Sequence, residues 1–196
     1  MARLYFLLLL LALYIYPYSI SSQNKYVLET KTDALPLVIK RAYQQIGVSR
    51  GDSIVLGYLK TTGLESYNNW CAAGIVWSFT KGFADYNSLF NTNILIPIEP
   101  SAVANRHYNY ARENGKNVYY ESEIYDLIVW RQVNSWQGHI EIVIQVRERG
   151  WVTTIGFNTS SNDTRQGGFV EIKGRHIHNP LGRLQVRGLV GFINKE

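Results

Sequence analysis

Residues 68–77 read Asn68-Asn69-Trp70-Cys71-Ala72-Ala73-Gly74-Ile75-Val76-Trp77, and this stretch holds the only cysteine of the chain. Beyond Cys71 the apolar residues Ala72, Ile75, Val76 and Phe79 recur at i, i+3, i+4 and i+7, the spacing of one buried helical face. Asn68 or Asn69 is placed to cap the start of that helix. Cys71 is therefore expected in a first helical turn, where the macrodipole and unpaired backbone N–H groups favour thiolate over thiol. The plainer alternative is a small buried hydrophobe.

Composition weighs on that choice. The chain has 196 residues, 46% hydrophobic and 18% charged, enough for one sizeable core. Arg3, the apolar run over 4–15 and the small residues Ser19, Ser21 and Ser22 have the order of a secretory signal peptide, expected over 1–22. An uncleaved anchor is the alternative; the run is short for a bilayer span. Removing 1–22 takes away only Arg3 among charged groups, so the net charge falls from +5 to +4. An exported thiol with no second cysteine has no internal disulfide, which favours chemistry over packing. A basic exported chain suits anionic wall polymers, and its scattered Lys and Arg form no nucleic-acid stripe.

Outward from the cysteine helix, helices are expected at 33–46, 52–59 and 101–114, with the cysteine helix ending near Lys81-Gly82 and a surface loop over 82–100. Strands are expected at 124–130, 138–146, 151–157, 168–173 and 189–193. Helices first and antiparallel strands afterwards make an α+β layout, one domain over 23–196.

Alternation over 138–146 puts Ile140, Ile142, Ile144 and Val146 on one face and His139, Glu141, Val143 and Gln145 on the other. A tight turn at 148–149, or a loop over 147–150, pairs Val146 with Trp151 and sets Trp151, Thr153, Ile155 and Phe157 on the same apolar face. In that register His139 lies opposite Asn158 and Glu141 opposite Gly156. Joined to Cys71, the hairpin supplies a base and groups to orient it, the constellation for nucleophilic acyl transfer. The bland reading is a polar outer face in contact with water.

NNWCAAGIVWSF, GHIEIVI and TTIGFNTSSNDTRQGG, in this order, resemble the CHAP domain of cysteine-dependent peptidoglycan hydrolases, over about residues 33–193. The resemblance implies a papain-like fold, N-terminal helices packed on an antiparallel sheet or partial barrel. It implies Cys71 as nucleophile, His139 as general base and acid, and Asn158 as the orienting amide. The chain departs from the family at Gly156, where a glutamate is usual; Glu141, across the hairpin, is the candidate replacement.

The function expected is that of a secreted or periplasmic amidohydrolase or endopeptidase of peptidoglycan. No cofactor, no metal, no nucleic acid and no stable membrane insertion after signal cleavage are expected. The alternative is a CHAP-like wall-binding protein without turnover. Trp70 and Tyr108 are candidates to line a substrate groove and equally to be core, and an inhibitor, immunity or adaptor partner stays open. His107 is expected at the surface. His176 and His178, alternating on one strand face, form a weak metal motif, because catalytic sites generally need three protein ligands.

Overall fold

The computed structural model describes residues 33–114, 118–119, 121–159 and 168–192. The expected leader, residues 1–22, and residues 160–167 of the third family element lie outside them. Among the described residues four α-helices, α1 (Leu35–Tyr43), α2 (Ile54–Lys60), α3 (Cys71–Phe90) and α4 (Ala104–Glu113), come before the main strands. The strands are β1 (Val118–Tyr119), β2 (Leu127–Arg131), β3 (Gly138–Val146), β4 (Trp151–Thr159), β5 (Phe169–His176) and β6 (Gln185–Val190). They form one antiparallel sheet in the order β1-β6-β2-β3-β4-β5. The class is α+β and the sheet is open, with the two-residue β1 and β5 at its edges. No helix among the described residues is long and apolar enough to cross a membrane.

The central helix α3 is buried on nearly all sides of its first three turns, from Cys71 to Phe79. An all-round apolar helix must be wrapped by others. Here Leu35 and Val38 of α1, Tyr58 of α2, and Ile140, Ile142, Ile155 and Phe157 of the sheet enclose it in one core. Gly74 lets the helix seat on the sheet, since a Cβ there would collide with the Phe157 ring.

α3 runs to Phe90, past the expected end at Gly82 and through much of the loop expected over 82–100. Gly82 is not a terminator. A Cβ at that position would lie 2.6 Å from the backbone nitrogen of Val38, so the glycine admits α1 against α3. The pair is clamped by Arg41, which donates from Nε and Nη2 to the two carboxylate oxygens of Asp85, each at 2.6 Å. The true end is Asn91 in the left-handed conformation, and Asn87 anchors the chain that follows through bonds to Thr92 and Ile94.

Gly82→Ala is expected to destabilise the protein. The backbone of α1 must shift, at about 1–3 kcal/mol for overpacking, against a helix-propensity gain of roughly 1 kcal/mol. A lower urea midpoint with unchanged helical circular dichroism is the predicted result; an equal or higher midpoint would show that α1 yields freely.

The face of the sheet that carries His139 and Glu141 is not an outer face. Ile128, Trp130, Val143, Val152, Ile177 and Leu189 form a second core there, with Leu181 and Leu184 of the β5–β6 connection packed against it. The hairpin register is also reached by another route. Residues 148–150 form a 3-10 turn with Arg149 at φ 57°, and Val146 pairs with Val152 instead of Trp151. A shift between Val143 and Gln145 then restores Glu141 opposite Gly156. Val146 and Trp151 are exposed, so the apolar match that the sequence suggested at the turn is absent; the match holds deeper, at Ile140, Ile142, Ile155 and Phe157.

Candidate active site

Cys71 opens α3 and lies against the start of β3, its Sγ 4.0 Å from the Gly138 carbonyl oxygen. Neither Asn68 nor Asn69 caps the helix. Trp70 occupies the N-cap with no side-chain cap, and Asn68 Oδ1 accepts from the Asn69 N–H instead, at 2.8 Å. The first intrahelical bond runs from Gly74 N–H to Trp70 O at 2.9 Å. The N–H groups of Cys71, Ala72 and Ala73 thus precede the helical ladder, where they favour negative charge nearby.

His139, second residue of β3, hydrogen-bonds Glu141, and Cys71 lies near enough to favour its charged form. Its Nε2 is 3.0 Å from Glu141 Oε1. With Nε2–H committed there, Nδ1 is the nitrogen left to exchange a proton with sulfur. Glu141 stands two residues along, on the same face of the strand. Its side chain is fully buried, and four bonds surround it. Besides His139, Thr154 Oγ1 donates to Oε2 at 2.5 Å, and Arg175 donates from Nε to Oε2 at 2.9 Å and from Nη2 to Oε1 at 2.6 Å. These fill the acceptor sites of a carboxylate. Gly156 makes room for the arrangement, since a Cβ there would fall 2.8 Å from Glu141 Oε1.

The electrostatics follow from burial and partners. Burial disfavours the imidazolium, but Cys71 and Glu141 outweigh it and push His139 up to about 9. Burial likewise disfavours the Glu141 carboxylate, and His139 with Arg175 holds it down at about 2. A carboxylate pinned in its ionised form beside a histidine fixes the ring orientation and its tautomer.

Other expected site residues are placed differently. Asn158 is not paired with His139: the β3–β4 ladder ends at Glu141 opposite Gly156. The chain steps into the left-handed conformation at Asn158 (φ 55°) as β4 breaks register between Gly156 and Thr159, and its buried Oδ1 has no partner among the described residues. Trp70 cannot line a groove, because it is fully buried against Tyr58 and Phe157. Tyr108 is half-buried, with the Arg187 guanidinium 4.5 Å above its ring. His107 is not at the surface. It is 1% exposed, donates from Nε2 to the Ser101 carbonyl at 2.9 Å, and is driven by burial down to about 4. His176 ends β5 and His178 lies beyond it, their rings 5.6 Å apart. Among the described residues no group of three or more His, Cys, Asp or Glu is arranged to hold a metal ion.

Arg175 and Thr154 are the participants that sequence reasoning misses. The expected strand over 168–173 stops short of Arg175, whereas β5 runs to His176. Strand alternation was the available signal: Glu171, Lys173 and Arg175 share the β5 face that corresponds to Gly156, Thr154 and Val152 across the ladder.

The chain matches no family model and no curated protein, so the reading of this site rests on its own chemistry.

Proposed function

We propose that the protein is an exported cysteine amidohydrolase or endopeptidase of the papain-like, CHAP-related kind, acting on an amide bond of peptidoglycan peptide. The observation that carries this is the series of buried Cys71, His139 and Glu141 backed by half-buried Arg175, which begins at an uncapped helix N-terminus. A structural thiol needs no histidine, and a structural histidine needs no buried carboxylate held by arginine. Together they make a nucleophile, a proton carrier and a means of orienting it.

In the proposed reaction the sulfur attacks the amide carbonyl carbon as a thiolate paired with the His139 imidazolium. The Cys71 N–H faces the oxyanion that develops. His139 then gives its proton to the leaving amine as the C–N bond breaks, leaving a thioester. Water adds to the thioester, returns a proton to His139, and the C–S bond breaks to release the carboxylic acid. Glu141 stays ionised throughout and holds the ring in place. Arg175 and Thr154 hold Glu141.

Loss of the family glutamate at Gly156 would favour a wall-binding protein without turnover. Glu141 fills the space over Gly156 and contacts His139, which removes that argument. Net positive charge supports an anionic polymer as substrate. Mass spectrometry of purified muropeptides before and after digestion tests the proposal: new fragments that gain the mass of water at one amide support it, and an unchanged profile with retained wall binding supports the binder.

A further inference from the structure

An open cleft of about 610 Å³ lies between α4 and the hairpin joining β2 to β3, lined by Asn105, Arg106, Arg131, Trp136 and Arg187 among others. Three guanidinium groups line it, but only one is neutralised. Arg106 pairs with Glu99 at 2.6 Å. Arg131 donates from Nε to the Ser135 carbonyl at 3.3 Å. Arg187 donates from Nη1 to the carbonyl and side-chain oxygens of Asn105 at 3.1 and 3.2 Å, and from Nη2 to Asn109 Oδ1 at 2.6 Å. The acceptors of Arg131 and Arg187 are neutral, and neither of these two has a carboxylate partner among the described residues. Burial, together with the charges of Arg131 and Arg112, works against the charged form of Arg187. Neutral partners that hold two cations towards one space leave that space short of an anion.

The cleft is linked to the thiol through one ladder pair. Arg131 pairs with Gly138 across the β2–β3 ladder, and Gly138 is the residue whose carbonyl contacts Cys71 Sγ. Asn105 binds the carbonyls of Trp136 and Gln137, so the wall of the cleft and the strand beside the thiol are tied together. Trp136, 65% exposed, stands at the cleft as an apolar surface. Planar guanidinium groups suit a carboxylate, which accepts two parallel bonds from such a fork.

We infer that this cleft binds a free carboxylate of the substrate peptide, flanking the bond that Cys71 attacks, with Arg131 and Arg187 as its donors. The inference rests on the amidohydrolase reading for the word substrate. It selects among peptides: a stem peptide with a free carboxylate beside the scissile amide is preferred to the same peptide with that group amidated.

The test uses one stem peptide as free acid and as carboxamide. Binding to the Cys71→Ser protein is followed by calorimetry, and turnover is followed with the wild-type protein. The acid is expected to bind about tenfold tighter, with the wild-type difference lying in KM and not in kcat. Arg131→Gln, at an exposed side chain with one backbone bond, should remove most of the preference while keeping the melting temperature; Arg187→Lys should reduce it. Inorganic phosphate is titrated in parallel, followed by Trp136 fluorescence with Trp136→Phe as control. Competition between phosphate and the acid peptide supports the inference. Phosphate binding without any preference for acid over amide assigns the cleft to a phosphodiester wall polymer and overturns it. Turnover with equal KM for both peptides, or a preference unchanged in Arg131→Gln, also overturns it. Tenfold tighter binding of the acid with no cleavage of either peptide leaves the anion site standing and rejects the hydrolase reading.

Discussion

Cys71→Ser is expected to lower release of muropeptide fragments by at least about 10³-fold, the order seen when a nucleophile is removed from such a group, while the protein stays folded. The reason lies in His139. A histidine pushed up to about 9 is mostly protonated at neutral pH, which suits it to accompany a thiolate and to protonate an amine. It is a poor base for a neutral serine hydroxyl, so the smaller atom cannot simply substitute. The new hydroxyl still has the Gly138 carbonyl and His139 beside it, and the stability cost should be within about 1 kcal/mol. His139→Ala should match the loss of rate, and His176→Ala and His178→Ala should not. Wall turbidity and muropeptide release, each beside a thermal melt, check this. A serine variant that keeps a tenth of the wild-type rate would sink the nucleophile assignment.

Glu141→Gln is expected to damage both rate and stability, and its pH dependence separates the two. The amide leaves Arg175 half-buried without its carboxylate, at about 3–5 kcal/mol for breaking a buried ion pair from one side. It also removes one of the two groups that raise His139, so the alkaline limb of the rate profile moves to lower pH. In the wild-type protein the raised His139 contributes stability that is fully present below its ordinary value of 6.5 and lost as pH rises through about 9. The depressed Glu141 contributes stability present above 4.5 and lost as pH falls through about 2. The variant should lose the acid-side contribution and shift the alkaline one downward. Pairing Glu141→Gln with Arg175→Met should restore much of the melting temperature but not the rate. If the pH–rate profile of Glu141→Gln overlays the wild type, the carboxylate serves folding alone.

The hairpin was legible because burial fixes register. Ile140 and Ile142 on one side and Ile155 and Phe157 on the other leave few alternatives, and Glu141 opposite Gly156 follows from them. The turn itself was misjudged by one residue, and the shift near Ile144 hides that error from the site. Gly82 misled for a different reason: the sequence shows a glycine, and only the packing shows whether it stops a helix or admits a neighbouring backbone. Trp70 and His107 misled because aromatic and polar character does not reveal depth; both lie in the interior. Asn158 is set opposite His139 only if the β3–β4 ladder continues beyond Glu141 and Gly156, where it ends. Arg175 is the instructive omission, because its contact with Glu141 spans 34 residues and needs the second core to be seen at all.

The offset between the 148–150 turn and the irregularity near Ile144 also marks where the chain tolerates added length. Mispairing introduced at the tip is absorbed before it reaches Glu141, and the tip residues 145–149 are exposed. A fluorophore, an affinity tag or a short linker to another domain could therefore be spliced in between Arg147 and Gly150, reporting on or extending the molecule without touching the residues around Cys71.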